Sequence, residues 1–488
     1  MSRIDKIVSG LAWSFGSQFS QVAINLIVSI VLARVMMPAE FGLIGMIAVF
    51  VAVGESLMGG GMAHSLIRTE NPDEEDYSTV FFMNLGVSIL LYGLLFLTAP
   101  LIARFFHQPI LTPVVRVYTI CIIVFAFSGV QSTKLVKEMN FKLVTFCQLP
   151  SLIISGIIGI VMAYRGDGVW SLVAMHLSRA ILYALLTWFS SDWSPKFVFS
   201  KVKLRTHFNF GYKLLLSNIL DRIYQNVYNL VIGRFFSATQ VGYYTRASTL
   251  VQVPVQGVAE PLNAVTYPAL ATMQNDNTRL QVSYKKLIQQ SLFLVVPILT
   301  MMIITAEPLF RVLLTDKWLP AVPYFRILCV AGMLNTVNGY NLNILLVKGR
   351  SDLFLKLQIV EKVFITIGVL TTSYFGMYGL LYFQLASTVV MFLINSSVGG
   401  KLINYSGKDQ VLDIYHIFPV ALLAGAAGYV LNAFMLGQSI GRWEDIIRIG
   451  AVCTCFTVFF LGLCVVWKLQ EIRDFKELII NRLILKRV

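Results

Sequence analysis

A chain of 488 residues that is 57% hydrophobic and only 13% charged, with a formal net charge of +14, is not an ordinary water-soluble domain, which carries about 25% charged residues. Its solvent is a bilayer: a run of roughly 20 apolar residues crosses the hydrocarbon, and about fourteen such runs consume nearly the whole length. Little remains for a soluble catalytic domain, and the absence of a soluble basic region argues against a nucleic-acid partner.

The apolar runs are continuous rather than alternating, which selects helices over a barrel. In chain order the expected spans are 11–35, 41–63, 79–103, 112–132, 143–163, 168–190, 208–234, 241–267, 284–306, 321–347, 354–375, 378–398, 413–435 and 446–467. The fourth is the weakest signal, and the eighth is interrupted by Pro254 and Pro261, each of which removes a helix donor. Arg3 and Lys6 precede a long first span without a small-residue cleavage site, so the N-terminus reads as a retained end. Six cysteines and five histidines are scattered through the chain without metal-ligand spacing, and no metal site is expected.

Lys and Arg in the joints set orientation. The larger share falls in joints on the side of the N-terminus, in Lys134, Lys137 and Lys142, then Lys196, Lys201, Lys203 and Arg205, then Lys285 and Lys286, then Lys348 and Arg350, and in the tail from Lys468 to Arg487. Both termini are therefore expected to be cytoplasmic, and the basic excess to contact anionic lipid. One joint dissents, because Glu70, Asp73, Glu74, Glu75 and Asp76 make it acidic.

An internal repeat organises the spans. Placing residue n beside n+200 aligns Val31-Leu32-Ala33-Arg34 and Gly42 with Val231-Ile232-Gly233-Arg234 and Gly242. Further on, Pro100 before Arg104 matches Pro308 before Arg311, and Pro113 with Arg116 matches Pro323 with Arg326. This gives two six-helix lobes, 1–195 and 196–400, as parallel repeats, with two further spans and a basic tail in 401–488. Repeats of this kind place a substrate site between them near the midplane.

The repeat also marks the faces that matter. Gln18, Gln21, Asn25 and Ser29 form one stripe of the first span, and the same positions in the seventh are Asn218, Asp221, Gln225 and Asn229. Polar side chains at that depth cost free energy against lipid, so they either bond other helices or line a wet cavity. Arg222 lies roughly 20 Å into its span at 1.5 Å per residue. A charge there is a functional candidate by default, and Glu55, Arg179, Arg246 and Glu260 follow it. Guanidinium suits phosphate, amides suit sugar hydroxyls, and Tyr224 and Tyr228 could stack on sugar faces. These residues point to a transporter of an anionic or mixed substrate.

At Val31-Leu32-Ala33-Arg34 through Glu40-Phe41-Gly42-Leu43, Gly242-Tyr243-Tyr244 with Arg246-Ala247, Tyr267-Pro268-Ala269-Leu270-Ala271 with Met273-Gln274, Asp316-Lys317-Trp318 with Pro323, and Gly349-Arg350-Ser351-Asp352, the sequence resembles the polysaccharide transport (Wzx-type) family of the multidrug/oligosaccharidyl-lipid/polysaccharide flippase superfamily. It is most similar to the branch holding the colanic acid and teichuronic acid exporters. The resemblance implies an all-α polytopic membrane protein whose two six-helix lobes surround a cavity lined by spans one, two, seven and eight. It implies flipping of an undecaprenyl-diphosphate-linked oligosaccharide to the periplasmic leaflet of the bacterial inner membrane by alternating access, for lipopolysaccharide, capsule or exopolysaccharide synthesis. A polysaccharide polymerase and a chain-length regulator are the implied protein partners.

On this reading no cofactor is needed beyond a coupling proton or sodium ion. Arg222, Arg179 and Arg246 with Gln18, Gln21, Asn25, Asn218, Gln225 and Asn229 are the substrate-binding candidates, and Asp221, Glu55 and Glu260 the ion-coupling ones. Two alternatives are a multidrug or metabolite exporter of the same superfamily and a membrane polymerase or glycosyltransferase. The enzyme needs an outer loop able to carry acid/base or metal-binding groups, and the outer joints 36–40 and 307–320 are too small for one.

Overall fold

The computed structural model describes residues 3–59, 61–435 and 441–473, and within them the regular structure is helical. Among the described residues, eleven helical stretches are long and apolar enough to cross a membrane. One of them, Ser351–Lys401, is 51 residues long and comprises two helices, so it accounts for two of the expected spans. The expected spans 208–234 and 241–267 are helical too, but too polar to stand among the eleven. The basic tail beyond residue 473 lies outside the described residues.

Two compact units divide the chain, Met1–Thr245 and Arg246–Val488. The first holds α1 (Arg3–Val35), α2 (Pro38–Gly59), a short α3 (Met62–Arg68), α4 (Glu74–Phe105), α5 (Leu111–Tyr118), α6 (Ile120–Lys137), α7 (Phe141–Arg165), α8 (Val169–Ser190), α9 (Lys201–Gln225), α10 (Val227–Phe235) and the start of α11 (Ala238–Thr272). Within it α7 packs on α8 and α1, α6 on α8 and α4, and α2 on α9. The expected fourth span is two helices, broken at Thr119, whose hydroxyl turns back onto the Val115 carbonyl at 2.7 Å. The seventh is also two helices: Asn226 interrupts it and donates its side-chain amide to the Arg222 carbonyl at 2.9 Å. The eighth, by contrast, runs through Pro254, Pro261 and Pro268 as one helix, a pattern that membrane helices tolerate when neighbours satisfy the freed carbonyls.

Local chemistry explains the helix ends. Asp73 and Asp76 form a reciprocal capping box that starts α4; the Asn140 side chain accepts the Leu143 N–H to start α7, and Gly166 closes that helix with φ of 86°. Each device satisfies backbone groups that a helix end leaves open.

The second unit contains the rest of α11, then α12 (Asn277–Ile304), α13 (Ala306–Leu313), α14 (Val322–Val347), α15 (Ser351–Thr372), α16 (Gly376–Lys401), α17 (Gly407–Ile414), α18 (Ile417–Met435) and α19 (Arg442–Val466). Here α14 packs on α16 and α12, and the α18–α19 hairpin docks on α12 and α13. Buried polar pairs fix the register: Tyr284 donates to Asn341 Oδ1 at 2.7 Å and Ser291 to the Tyr340 hydroxyl at 3.0 Å. In the hairpin, Arg448 is 1% exposed and gives its Nε to Asn432 Oδ1 at 2.7 Å, while Asn432 donates to the Ile304 carbonyl at 3.1 Å. At one end of this unit, Lys285 pairs with Asp413 at 2.6 Å and Tyr405 donates to the other Asp413 oxygen at 2.8 Å.

Candidate functional site

In the first unit, α2, α5, α6, α7 and α8 surround a cavity of about 380 Å³, roughly a dozen waters at ~30 Å³ each. Its wall carries Glu55, Arg179, His176, Gln148, Tyr118 and Tyr183. Arg179 and His176 stand three residues apart on α8 and so share a face. The Tyr118 ring meets the His176 ring edge-on at 5.3 Å, and the Tyr183 hydroxyl pairs with Ser132 at 2.8 Å. Arg179 and Arg222 both act electrostatically on Glu55, and α9, which bears Arg222, packs directly on α2. The site therefore sets one carboxylate, Glu55, and one guanidinium, Arg179, on the wall of the same cavity, with a second guanidinium, Arg222, on the helix that packs beside α2.

The amide stripes divide. Gln21 donates from Nε2 to Gln148 Oε1 at 2.9 Å and to Ser17 at 3.1 Å, which ties α1 to α7 and to the cavity wall. Gln18 and Asn25, on the same helix, are exposed. On the other stripe Asn218 and Asp221 are half-buried, Asn229 accepts a bond from Thr245 at 3.4 Å, and exposed Gln225 accepts one from Arg222 Nη1 at 3.3 Å. Arg246 is half-buried and Glu260 exposed, both on α11 in the second unit. The structure thus brings Glu55 and Arg179 to one cavity wall, while Arg222, bonded to Gln225, lies on α9, which packs on α2. Gln21 belongs to an interhelical amide pair.

Sequence reasoning passed over Gln148 and His176. The i, i+3 spacing of His176 and Arg179 was the available signal; for Gln148 it was an isolated amide in an apolar run. A second missed cluster lies at the end of this unit where α3, α4 and α9 converge. Ser65 Oγ is 2.8 Å from His207 Nδ1, and His207 Nε2 is 3.0 Å from Asp76 Oδ1. A carboxylate only accepts, so Nε2 carries a proton. The other Asp76 oxygen receives Lys203 Nζ at 2.9 Å, and Lys203 also reaches Asp73 at 3.0 Å. Lys196 pairs with Glu74 at 3.5 Å, Arg68 lies over the Phe210 ring at 4.6 Å, and Lys137 closes α3 through the Leu66, Ile67 and Thr69 carbonyls. Three carboxylates of the acidic joint that dissented from the charge rule, Asp73, Glu74 and Asp76, are thus paired with two lysines of the basic segment after α8, so the two segments lie at the same end of this unit.

The arrangement can be set beside known proteins. A family model described as "Polysaccharide biosynthesis protein" matches residues 31–323. The lipopolysaccharide biosynthesis protein WzxC of Escherichia coli K12 is 23% identical over 90% of this chain and 90% of its own length. The teichuronic acid biosynthesis protein TuaB of Bacillus subtilis 168 is 27% identical over 71% and 72%, and the succinoglycan biosynthesis transport protein ExoT of Rhizobium meliloti 1021 is 24% identical over 67% and 66%. Among solved structures, the lipid II flippase MurJ in an inward closed conformation is similar with a TM-score of 0.72 at 14% identity, over 93% of this chain and 99% of its own. An inward-facing multidrug resistance transporter of the MATE family gives 0.60 at 18%, over 79% and 96%. These structural likenesses establish a shared helical transporter fold for a multi-pass membrane protein. With more than half of its length matched by the family model, the chain belongs to this family of polysaccharide biosynthesis proteins.

Proposed function

We propose that this protein is a flippase, moving an undecaprenyl-diphosphate-linked oligosaccharide from the cytoplasmic to the outer leaflet of the bacterial inner membrane by alternating access. The observation that carries the reading is a polar cavity among membrane helices whose wall holds Glu55 and Arg179, with Arg222 on the adjacent α9. The names of the relatives, biosynthesis and transport proteins for lipopolysaccharide, teichuronic acid and succinoglycan, support the same class of cargo. The cargo's diphosphate replaces Glu55 as the counter-charge of Arg222 and Arg179. The amides of Gln225, Asn218, Gln18 and Asn25 contact the glycan, and the isoprenoid stays in lipid. No covalent bond changes, so the protein is not an enzyme, and it has no need of a cofactor.

Displaced Glu55 then accepts a proton or a sodium ion, which makes it the first ion-coupling candidate ahead of Asp221 and Glu260. Arg246, on α11, is the candidate contact from the second unit. Both termini are cytoplasmic in this reading, as the joint charges require, and a polymerase and a chain-length regulator receive the exported unit. The test is surface polysaccharide in cells carrying Arg222→Ala or Arg222→Lys at unchanged protein level. Arg222→Ala should abolish export and Arg222→Lys should retain part of it. Full export by the Ala variant removes Arg222 from the mechanism.

A further inference from the structure

Residues 191–200 join α8 to α9 without a helix of their own, yet they are fastened along the start of α4. Trp193 is buried, its ring 5.7 Å from that of Tyr77 and 6.2 Å from that of Phe81. The Lys196 N–H donates to Ser78 Oγ at 3.1 Å and the Ser200 N–H to Thr79 Oγ1 at 3.0 Å, and both acceptor residues are fully buried. Between these bonds the Val198 N–H turns back to the Lys196 carbonyl at 2.7 Å, a three-residue turn with Phe197 at its tip.

The strap turns its apolar side chains outward. Phe197 is 98% exposed, Val198 and Phe199 are exposed as well, and Val202 at the start of α9 is 76% exposed. The Phe197 ring stacks on Phe82 at 5.6 Å. Phe82 stands about 12 Å beyond Glu74 along α4, at 1.5 Å per residue, within the apolar run that begins at Val80. The strap therefore dips beside α4 to the edge of the hydrocarbon instead of arching into water. Non-helical backbone is tolerated at that depth where protein groups serve its polar atoms. Here Ser78, Thr79 and the turn serve the N–H groups of Lys196, Ser200 and Val198, and Pro195 has none to serve.

Charge completes the surface. Lys196 pairs with Glu74, and Lys203 with Asp73 and Asp76. Lys201 and Arg205 are exposed at i and i+4 on one stripe of α9. Phe208 and Tyr212 continue that stripe down the helix, their exposed rings stacked at 5.8 Å. Cations at the helix start and aromatic rings below them follow the order of headgroup and acyl chain in a leaflet.

We propose that the strap and the first turns of α9 bind an anionic phospholipid of the cytoplasmic leaflet, with Phe197 and Phe199 among its acyl chains and Lys201 and Arg205 at its phosphate. The leaflet follows from joint charge, and the site goes beyond the flippase reading without depending on it. Two cations at one headgroup favour an anionic lipid over a zwitterionic one. The bound lipid secures the base of the helix that carries Arg222.

The experiment uses the full chain without its six cysteines, carrying Phe197→Cys labelled with an environment-sensitive fluorophore, in nanodiscs of phosphatidylcholine with a minority of phosphatidylglycerol. Lipid spin-labelled near the top of its acyl chain should quench the label, and aqueous iodide should not. A label on Glu70→Cys, in the exposed acidic joint, should show the reverse. Moving the spin label from phosphatidylcholine to phosphatidylglycerol at the same mole fraction should raise quenching at Phe197→Cys several-fold. Lys201→Gln with Arg205→Gln should abolish that preference while lipid quenching itself persists, and Lys201→Arg with Arg205→Lys should keep it. Added inorganic phosphate should leave it unchanged. Iodide quenching without lipid quenching puts the strap in water and overturns the proposal. Quenching by neither means that protein covers the strap, and equal quenching by the two lipids removes the anionic preference; either result overturns it too. No glycan enters the assay, so its outcome is separate from that of the export experiments.

Discussion

Replacing Asp76 by Asn tests whether the cluster at the base of α9 is a structural bolt. The carboxylate receives His207 at 3.0 Å on one oxygen, and Lys203 at 2.9 Å and the Asp73 N–H at 3.0 Å on the other. An asparagine can keep its carbonyl toward His207, but its NH₂ then faces the ammonium of Lys203 and the Asp73 N–H, donor against donor. Two bonds to a charged acceptor are lost at about 1.5–3 kcal/mol each for such bonds, and the Lys203 side is a third exposed, which pulls its share to the lower end. The expected loss is about 3 kcal/mol. The assay is the unfolding midpoint in one fixed detergent for Asp76→Asn, Lys203→Met and the double variant. Because Lys203→Met removes the opposing donor, the two changes should cost less together than their sum, with a coupling of about 1–2 kcal/mol. A variant within about 0.5 kcal/mol of wild type, or a strictly additive cycle, refutes the reasoning.

Three other predictions follow from the same structure. Arg448→Ala should destabilise by about 3–5 kcal/mol, since it strips a buried cation from Asn432 and leaves Asp445 without its nearest cation; thermal unfolding of purified protein measures this, and a change under about 1 kcal/mol contradicts it. Burial works to raise the Glu471 carboxyl, yet the hydrogen bond from His416 at 2.9 Å, a bond from its own backbone N–H and the charges of His416 and Lys285 together outweigh it and hold the group below its usual 4.5. A depressed carboxylate contributes stability above its unfolded value and loses it as pH falls through the folded one. Acidification below 4.5 should therefore destabilise wild type more than Glu471→Gln, and parallel pH curves for the two would exclude this contribution. Finally, Glu55→Gln should leave the protein folded but remove the response of export to a collapsed proton or sodium gradient; an unaltered response passes the coupling role to Asp221 or Glu260.

Hydropathy made most of the helices legible, because a bilayer forces every spanning backbone to bond internally. It misjudged interruptions in both directions. Pro254 and Pro261 suggested a broken eighth span, whereas α11 is continuous. The real break in the seventh falls at Asn226, where the local sequence Gln-Asn-Val-Tyr holds no proline or glycine to announce it. Arg222, Arg179 and Glu55 were visible as charges in apolar runs, but that Glu55 and Arg179 line one cavity with Arg222 on a helix beside it depends on α2 packing against α8 and α9, which no spacing encodes. The Ser65–His207–Asp76 relay was invisible for the same reason: its histidine and aspartate are 131 residues apart.

The central claim, transfer of a lipid-linked glycan between leaflets, is tested most directly by locating that lipid in cells depleted of this chain. Undecaprenyl-diphosphate-linked oligosaccharide should accumulate on the cytoplasmic leaflet, protected from a sugar-modifying enzyme added outside, and re-expression of the wild-type chain should make it accessible. Accumulation on the outer leaflet, or no accumulation of the intermediate at all, would contradict the account.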